Sequence, residues 1–293
     1  MADDMGSTVP RRQLGRALRE LRTETRMTLD GAAEATQWSR QKMWRIETGL
    51  GPVRTLDVKA MCELYAATPD LAGALTALAA ETKAKGWWHS YGDAVPGWFE
   101  LYVGLESAAS FIRRFDEALI PGLLQTRAYA LAIYLHRHAV TEEERQRLVE
   151  ARLQRQALLH RRLPRAPKLK VILAEAALLR RVSDAATMAG QLRHLLEIGK
   201  MPNVAVRVLP LTAGTHRGAE AGTFVILDFP TGKRTIPEPP VVYCESRTGA
   251  LYLDRPEEYA AYEQVWASLD DLTLDEAQSR RLIDKIIGEV HHG

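Results

Sequence analysis

Residues 27–49 constrain what this chain can fold into more than any other stretch. Thr28 is placed to cap a short helix over residues 29–35, and Ser39 to cap a second one running to about Thr48. Gly49 and the pair Gly51-Pro52 stop the second helix. Two helices this short are stable only if they cross closely. The small pair Ala32-Ala33 permits that approach, and Trp38, Met43 and Ile46 supply an apolar side to seat the second helix. Its other side is left outward: Arg40, Gln41, Lys42, Trp44 and Arg45.

The flanks read the same way. Leu14, Ala17, Leu18 and Leu21 form one stripe of a helix over residues 11–25, with arginines on the opposite face. Thr55 is read as the cap of a fourth helix carrying Val58, Met61, Cys62 and Tyr65 on one side. Pro69-Asp70 opens a fifth, over residues 71–85. Residues 11–80 are therefore expected to be an all-α domain of five short helices, behind a disordered tail at 1–10. Residues 11–54 hold ten Lys/Arg against five Asp/Glu, a surplus of five positive charges, whereas residues 254–293 carry a surplus of six negative ones. The chain as a whole is only at +2. A basic front on a near-neutral molecule suits a polyanion-binding module joined to something else.

The outward residues of the second helix suit double-stranded DNA. The major groove admits one α-helix; Arg can pair both guanine acceptors, and Gln can pair adenine in the same forked way. Ser39, at a helix start with free backbone N–H groups, suits a phosphate. Arg54, in the loop beyond, adds a cation. The expected DNA-binding set is Ser39, Arg40, Gln41, Lys42, Trp44, Arg45 and Arg54. The arrangement resembles the phage-repressor type of helix-turn-helix, the xenobiotic-response-element family. In that family the motif closes on Ile/Leu-Glu-x-Gly, here Ile46-Glu47-Thr48-Gly49. The resemblance implies a structural ion pair between Arg22 and Glu47. Three residues depart from the pattern: Gln37 stands where a turn glycine is usual, Leu29 where a DNA-contacting Gln is frequent, and Trp44 is large for its place.

The rest of the 293-residue chain is long enough for a second, larger domain. Extended candidates at 111–115, 169–173, 204–209, 223–229, 241–245 and 250–253 alternate with helical ones at 98–109, 126–138, 142–162, 184–199, 256–269 and 274–288. That order argues a mixed α+β or α/β domain. The expected division is a helical, aromatic connector over 81–110, with Trp87, Trp88 and Trp98, and an α+β domain over 111–293. Residues 231–240 read as a surface loop. Cys62 and Cys244 are too few and too far apart for a disulfide framework or a metal site. No cofactor or metal is expected. A catalytic reading would have to use Cys244 with His216, or Glu175 and Asp228. Cys244 sits in a strand pattern, however, and Gly214-Thr-His-Arg-Gly218 lacks the spacing of a phosphate loop. No run of about 18 apolar residues suggests a membrane span, and the N-terminus lacks the apolar core of a signal peptide. A cytoplasmic location is expected.

A second resemblance covers residues 16–287. It rests on Gly86-Trp-Trp-His-Ser-Tyr-Gly-Asp93, Pro121-Gly-Leu-Leu-Gln-Thr126, Glu175-Ala-Ala-Leu178, Gln191-Leu-Arg-His-Leu-Leu196 and Pro202-Asn203. Together these are similar to the actinomycete antitoxin-like, WhiJ-like regulators. The resemblance implies a repressor, often encoded beside a very small partner protein, whose second domain binds that partner or a small-molecule effector. A homodimer is expected, because one module of this kind reads too few base pairs. The alternative is an enzyme or small-molecule sensor carrying a DNA-binding appendage.

Overall fold

Buried Leu14 and Leu18 set the first helix of the computed structural model on a core of Ala32, Met43, Ile46, Val58, Met61, Cys62 and Tyr65. The structure describes residues 9–49, 53–81, 97–135, 141–162, 165–230, 239–247 and 249–290. Among the described residues, five helices make the N-terminal part: α1 (Val9–Glu24), α2 (Leu29–Thr36), α3 (Arg40–Glu47), α4 (Thr55–Leu64) and α5 (Pro69–Glu81). Helix α1 begins two residues before the expected start, since Pro10 is tolerated in a first helical turn. Thr28 and Ser39 cap α2 and α3 as read, accepting from the Gly31 and Lys42 amides at 3.0 and 3.1 Å. Thr55 is not a cap. It takes the first helical position of α4, Arg54 stands at the cap, and the Asp57 carboxylate accepts the Arg54 N–H at 3.3 Å.

Helices α1, α2 and α4 end alike. Arg26, Gln37 and Ala66 each adopt a left-handed conformation, with φ of 56°, 57° and 52°. In each, the next amide reaches five residues back: Met27 to the Arg22 carbonyl, Trp38 to Ala33 and Ala67 to Cys62, at 2.9–3.1 Å. These paired end bonds satisfy carbonyls that a helix terminus would leave open.

Beyond them lie α6 (Gly97–Ala108) and a six-stranded sheet in the order β3-β2-β1-β4-β5-β6. The strands are β1 (Phe111–Asp116), β2 (Lys168–Ala174), β3 (Val204–Leu209), β4 (Phe224–Asp228), β5 (Val241–Ser246) and β6 (Gly249–Leu253). Strands β1, β2 and β3 are parallel neighbours, whereas β1–β4 and β4–β5 are antiparallel. Parallel pairs need crossovers. One carries α7 (Arg127–Leu135) and α8 (Glu142–Arg155), the other α9 (Glu175–Leu179) and α10 (Ala185–Ile198). Short α11 (Gly218–Ala221) precedes β4; α12 (Pro256–Leu272) and α13 (Glu276–Glu289) close the chain. Contacts group residues 1–105 with 245–256, and 106–244 with 257–293.

The helix expected over 142–162 ends at Arg155 and tightens into a 3₁₀ turn, Gln156–Leu159. There the Gln156 amide turns back onto the Gly122 and Gln125 carbonyls, at 3.1 and 2.7 Å. The Pro121–Thr126 run is itself a pinned loop: Gln125 donates to the Ile120 carbonyl, and Gln191 bridges the Leu124 carbonyl and the Thr126 amide. Trp87, Trp88 and most of the 231–240 loop lie outside the described residues.

Candidate nucleic-acid interface

Helix α3 is fixed from behind by backbone contact. Gly15 of α1 lies under its end: a Cβ there would stand 2.5 Å from the Ile46 oxygen and 2.8 Å from that of Glu47. Gly49, at φ +71°, follows α3 and would meet Arg12 Cα at 2.7 Å. Two glycines thus let α1 and the end of α3 touch with no side chain between them.

A buried ion pair adds direction. Arg22 holds Glu47 with two parallel bonds, Nε to Oε1 at 2.7 Å and Nη2 to Oε2 at 2.8 Å. Its Nη1 donates to the Met27 carbonyl at 2.7 Å, just before α2. Tyr65 donates to Glu47 Oε1 at 3.5 Å from the end of α4. The Glu47 bond raises the basicity of Arg22 against the opposing effect of burial, and burial pushes the Tyr65 phenol up. One guanidinium therefore ties α1 to α3 and to the approach to α2. A forked charge-assisted pair of this kind fixes orientation as well as distance.

The front of α3 is open. Arg40, Gln41, Trp44 and Arg45 are exposed, and Ser39 is committed to the Lys42 amide. Arg40 reaches Asp30 of α2 at 2.8 Å, but both side chains are some 70% exposed (70% and 72%). Such a solvated pair is worth ~0–1 kcal/mol, so DNA can displace it. Lys42 is engaged elsewhere. Its Nζ lies 2.9 Å from Asp57 Oδ1 and 3.6 Å from the centre of the Trp38 ring. Arg54 is exposed at the head of α4. Leu29, Arg40, Gln41 and Trp44 line a concave face of about 430 Å³, where the start of α2 meets the front of α3. Nothing in the sequence pattern singled out Asp30, Asp57 or Gly15. Acids in first turns and a glycine in an amphipathic helix were the available signals, and each is common in unrelated settings.

The residues a catalytic reading would use have separate engagements. The Cys244 thiol donates to the Tyr262 hydroxyl at 3.2 Å, and burial pushes it up. His216 packs edge-on against Phe115, with ring centres 5.8 Å apart. Glu175 accepts the Leu211 amide at 2.7 Å. Asp228 pairs with Arg113 at 2.9 Å, an arginine that also meets Glu263 and Tyr259. Among the described residues, no three His, Cys, Asp or Glu side chains converge as a metal site would. No described helix is long and apolar enough to cross a membrane.

A helix-turn-helix domain model matches residues 13–75, the segment from α1 into α5. A second model, described as a domain of unknown function (DUF5753), matches residues 99–285, well over half of the chain. The chain belongs to the DUF5753 family. Among curated proteins none matches it. The DUF5753 match takes in all six strands and α7 to α12. The helix-turn-helix match supports a DNA-binding regulator, with DNA as the partner of the N-terminal helices.

Proposed function

We propose that this protein is a sequence-specific transcription repressor of the antitoxin-like kind, reading the major groove with α3. The observation that carries the reading is the exposed, cationic front of α3 on a helix whose back is locked to α1. Arg40 and Gln41 are the base readers, Arg45 a third contact, and Arg54 a phosphate contact beside the groove. Ser39 acts through its cap, holding the start of α3 so that backbone N–H groups face a phosphate. Lys42 positions α3 against α4 through Asp57.

The protein acts as a homodimer in the cytoplasm, pairing two half-sites about one helical turn apart. Its DUF5753 domain binds a small partner protein or effector that modulates DNA binding, and it carries out no reaction. The separate engagements of Cys244, Glu175 and Asp228 favour this reading over a catalytic centre built from those residues.

The test is direct. Arg40→Ala combined with Gln41→Ala should abolish binding to an operator selected from random duplex DNA with the parent protein, measured by mobility shift, while circular dichroism and the melting profile stay unchanged. If the double variant shifts that DNA like the parent, α3 is not the reading helix.

A further inference from the structure

The concave face at the front of α3 mixes two kinds of side chain. Arg40 and Gln41 carry forked hydrogen-bonding groups, whereas Leu29 and Trp44 are apolar. Trp44 is 39% exposed, a large apolar surface left in water on the side where the polar readers stand. On α3, Trp44 lies four residues after Arg40 and three after Gln41, so all three share one face. Leu29 enters from another element, as the first residue of α2. Its side chain is partly buried against the helical core, so its position is fixed.

We infer that the Leu29–Trp44 slot takes the 5-methyl group of a thymine. This inference rests on the proposed reading of DNA by α3. In the major groove, guanine, cytosine and adenine present hydrogen-bond donors and acceptors, and thymine alone presents an apolar group among the four bases. An apolar slot facing donors and acceptors would strand their hydration without replacing it. Facing a methyl, it removes apolar surface from water on both sides. The forked readers beside the slot place that thymine next to the base pairs Arg40 and Gln41 contact. Trp44 is thereby a specificity residue, and Leu29 lines the same concave face from α2.

The experiment needs no variant for its main arm. The full-length parent protein is used to select an operator from random duplex DNA. Each thymine of that operator is then replaced, one at a time, by deoxyuridine, which pairs identically and lacks only the methyl. One position per half-site should lose affinity about fourfold, the order expected for one buried methyl group. Trp44→Ala should bind the thymine and uracil duplexes equally while keeping its melting profile. Two results would overturn the inference yet leave DNA reading intact: a selected operator in which no single replacement lowers affinity, or a methyl effect that persists in Trp44→Ala. Failure of the parent to select any sequence would instead remove the reading of DNA on which the inference stands.

Discussion

Arg26, Gln37 and Ala66 end their helices in a backbone conformation that glycine adopts without strain. A left-handed residue with a Cβ costs about 1–2 kcal/mol, partly offset because glycine has more freedom to lose on folding, about 0.5–1 kcal/mol. Gln37 matters most, since it forms the turn between α2 and α3 and its bond geometry aims the second helix. The turn is legible from the sequence as the place of a missing glycine, and the structure gives the reason it survives: both end bonds form regardless, Gln37 to the Glu34 carbonyl and Trp38 to that of Ala33. Gln37→Gly should therefore stabilise the N-terminal helices by roughly 0.5–1 kcal/mol. The denaturant midpoint of their transition should rise with the operator preference unchanged. A fall in that midpoint would mean that the Gln37 side chain contributes something its exposed position does not reveal.

At the scale of elements, the contact between α1 and α3 is made by absence. Local signals such as the Thr28 and Ser39 caps are written in one or two adjacent residues, and they were legible. The crossing depends on Gly15 meeting the Ile46 and Glu47 carbonyls, residues far apart in sequence, and a lone glycine in a helix says nothing about its distant neighbour. The same limit hid the sheet order. Strand β4 pairs with β1 across more than a hundred residues, and Arg113 and Arg114, adjacent in one strand, turn to different acids: Asp228 and Glu263 for the first, Asp116 for the second. The alternation of extended and helical segments pointed to a mixed α+β or α/β domain but not to which strands would be neighbours. Gly15→Ala tests the crossing. Its methyl would stand 2.5 Å from a backbone oxygen, and backbone cannot swing aside as a side chain can. Overpacking of this kind costs about 1–3 kcal/mol. The variant should unfold at lower denaturant, and, because α3 must shift to make room, its operator affinity should fall even where it remains folded. Full operator affinity in a folded Gly15→Ala protein would show that the crossing does not set the position of the reading helix.

On the scale of the whole molecule, charge is segregated rather than large. The net of +2 combines a front with five surplus positive charges and a C-terminal stretch with six surplus negative ones. Average charge thus gives little long-range pull toward DNA, and association must come from local cations. Some of those are already engaged: Arg22 is locked on Glu47, and Lys42 on Asp57. Arg40 is held loosely, and Arg45 and Arg54 are exposed. Each phosphate neutralised releases condensed counterions, so the logarithm of the binding constant should fall linearly with the logarithm of salt concentration, at about −0.9 per contact. With Arg45 and Arg54 as such contacts the slope is roughly −2 for each bound copy, and twice that for a pair on two half-sites. Titrations of operator DNA from about 50 to 200 mM salt should give that line. Arg54→Ala should flatten it by about one unit per copy without changing base preference, because a phosphate contact carries no sequence information. A slope near zero would mean that affinity does not come from these cations, and a change of base preference in Arg54→Ala would move that residue from the phosphate backbone to the base edges.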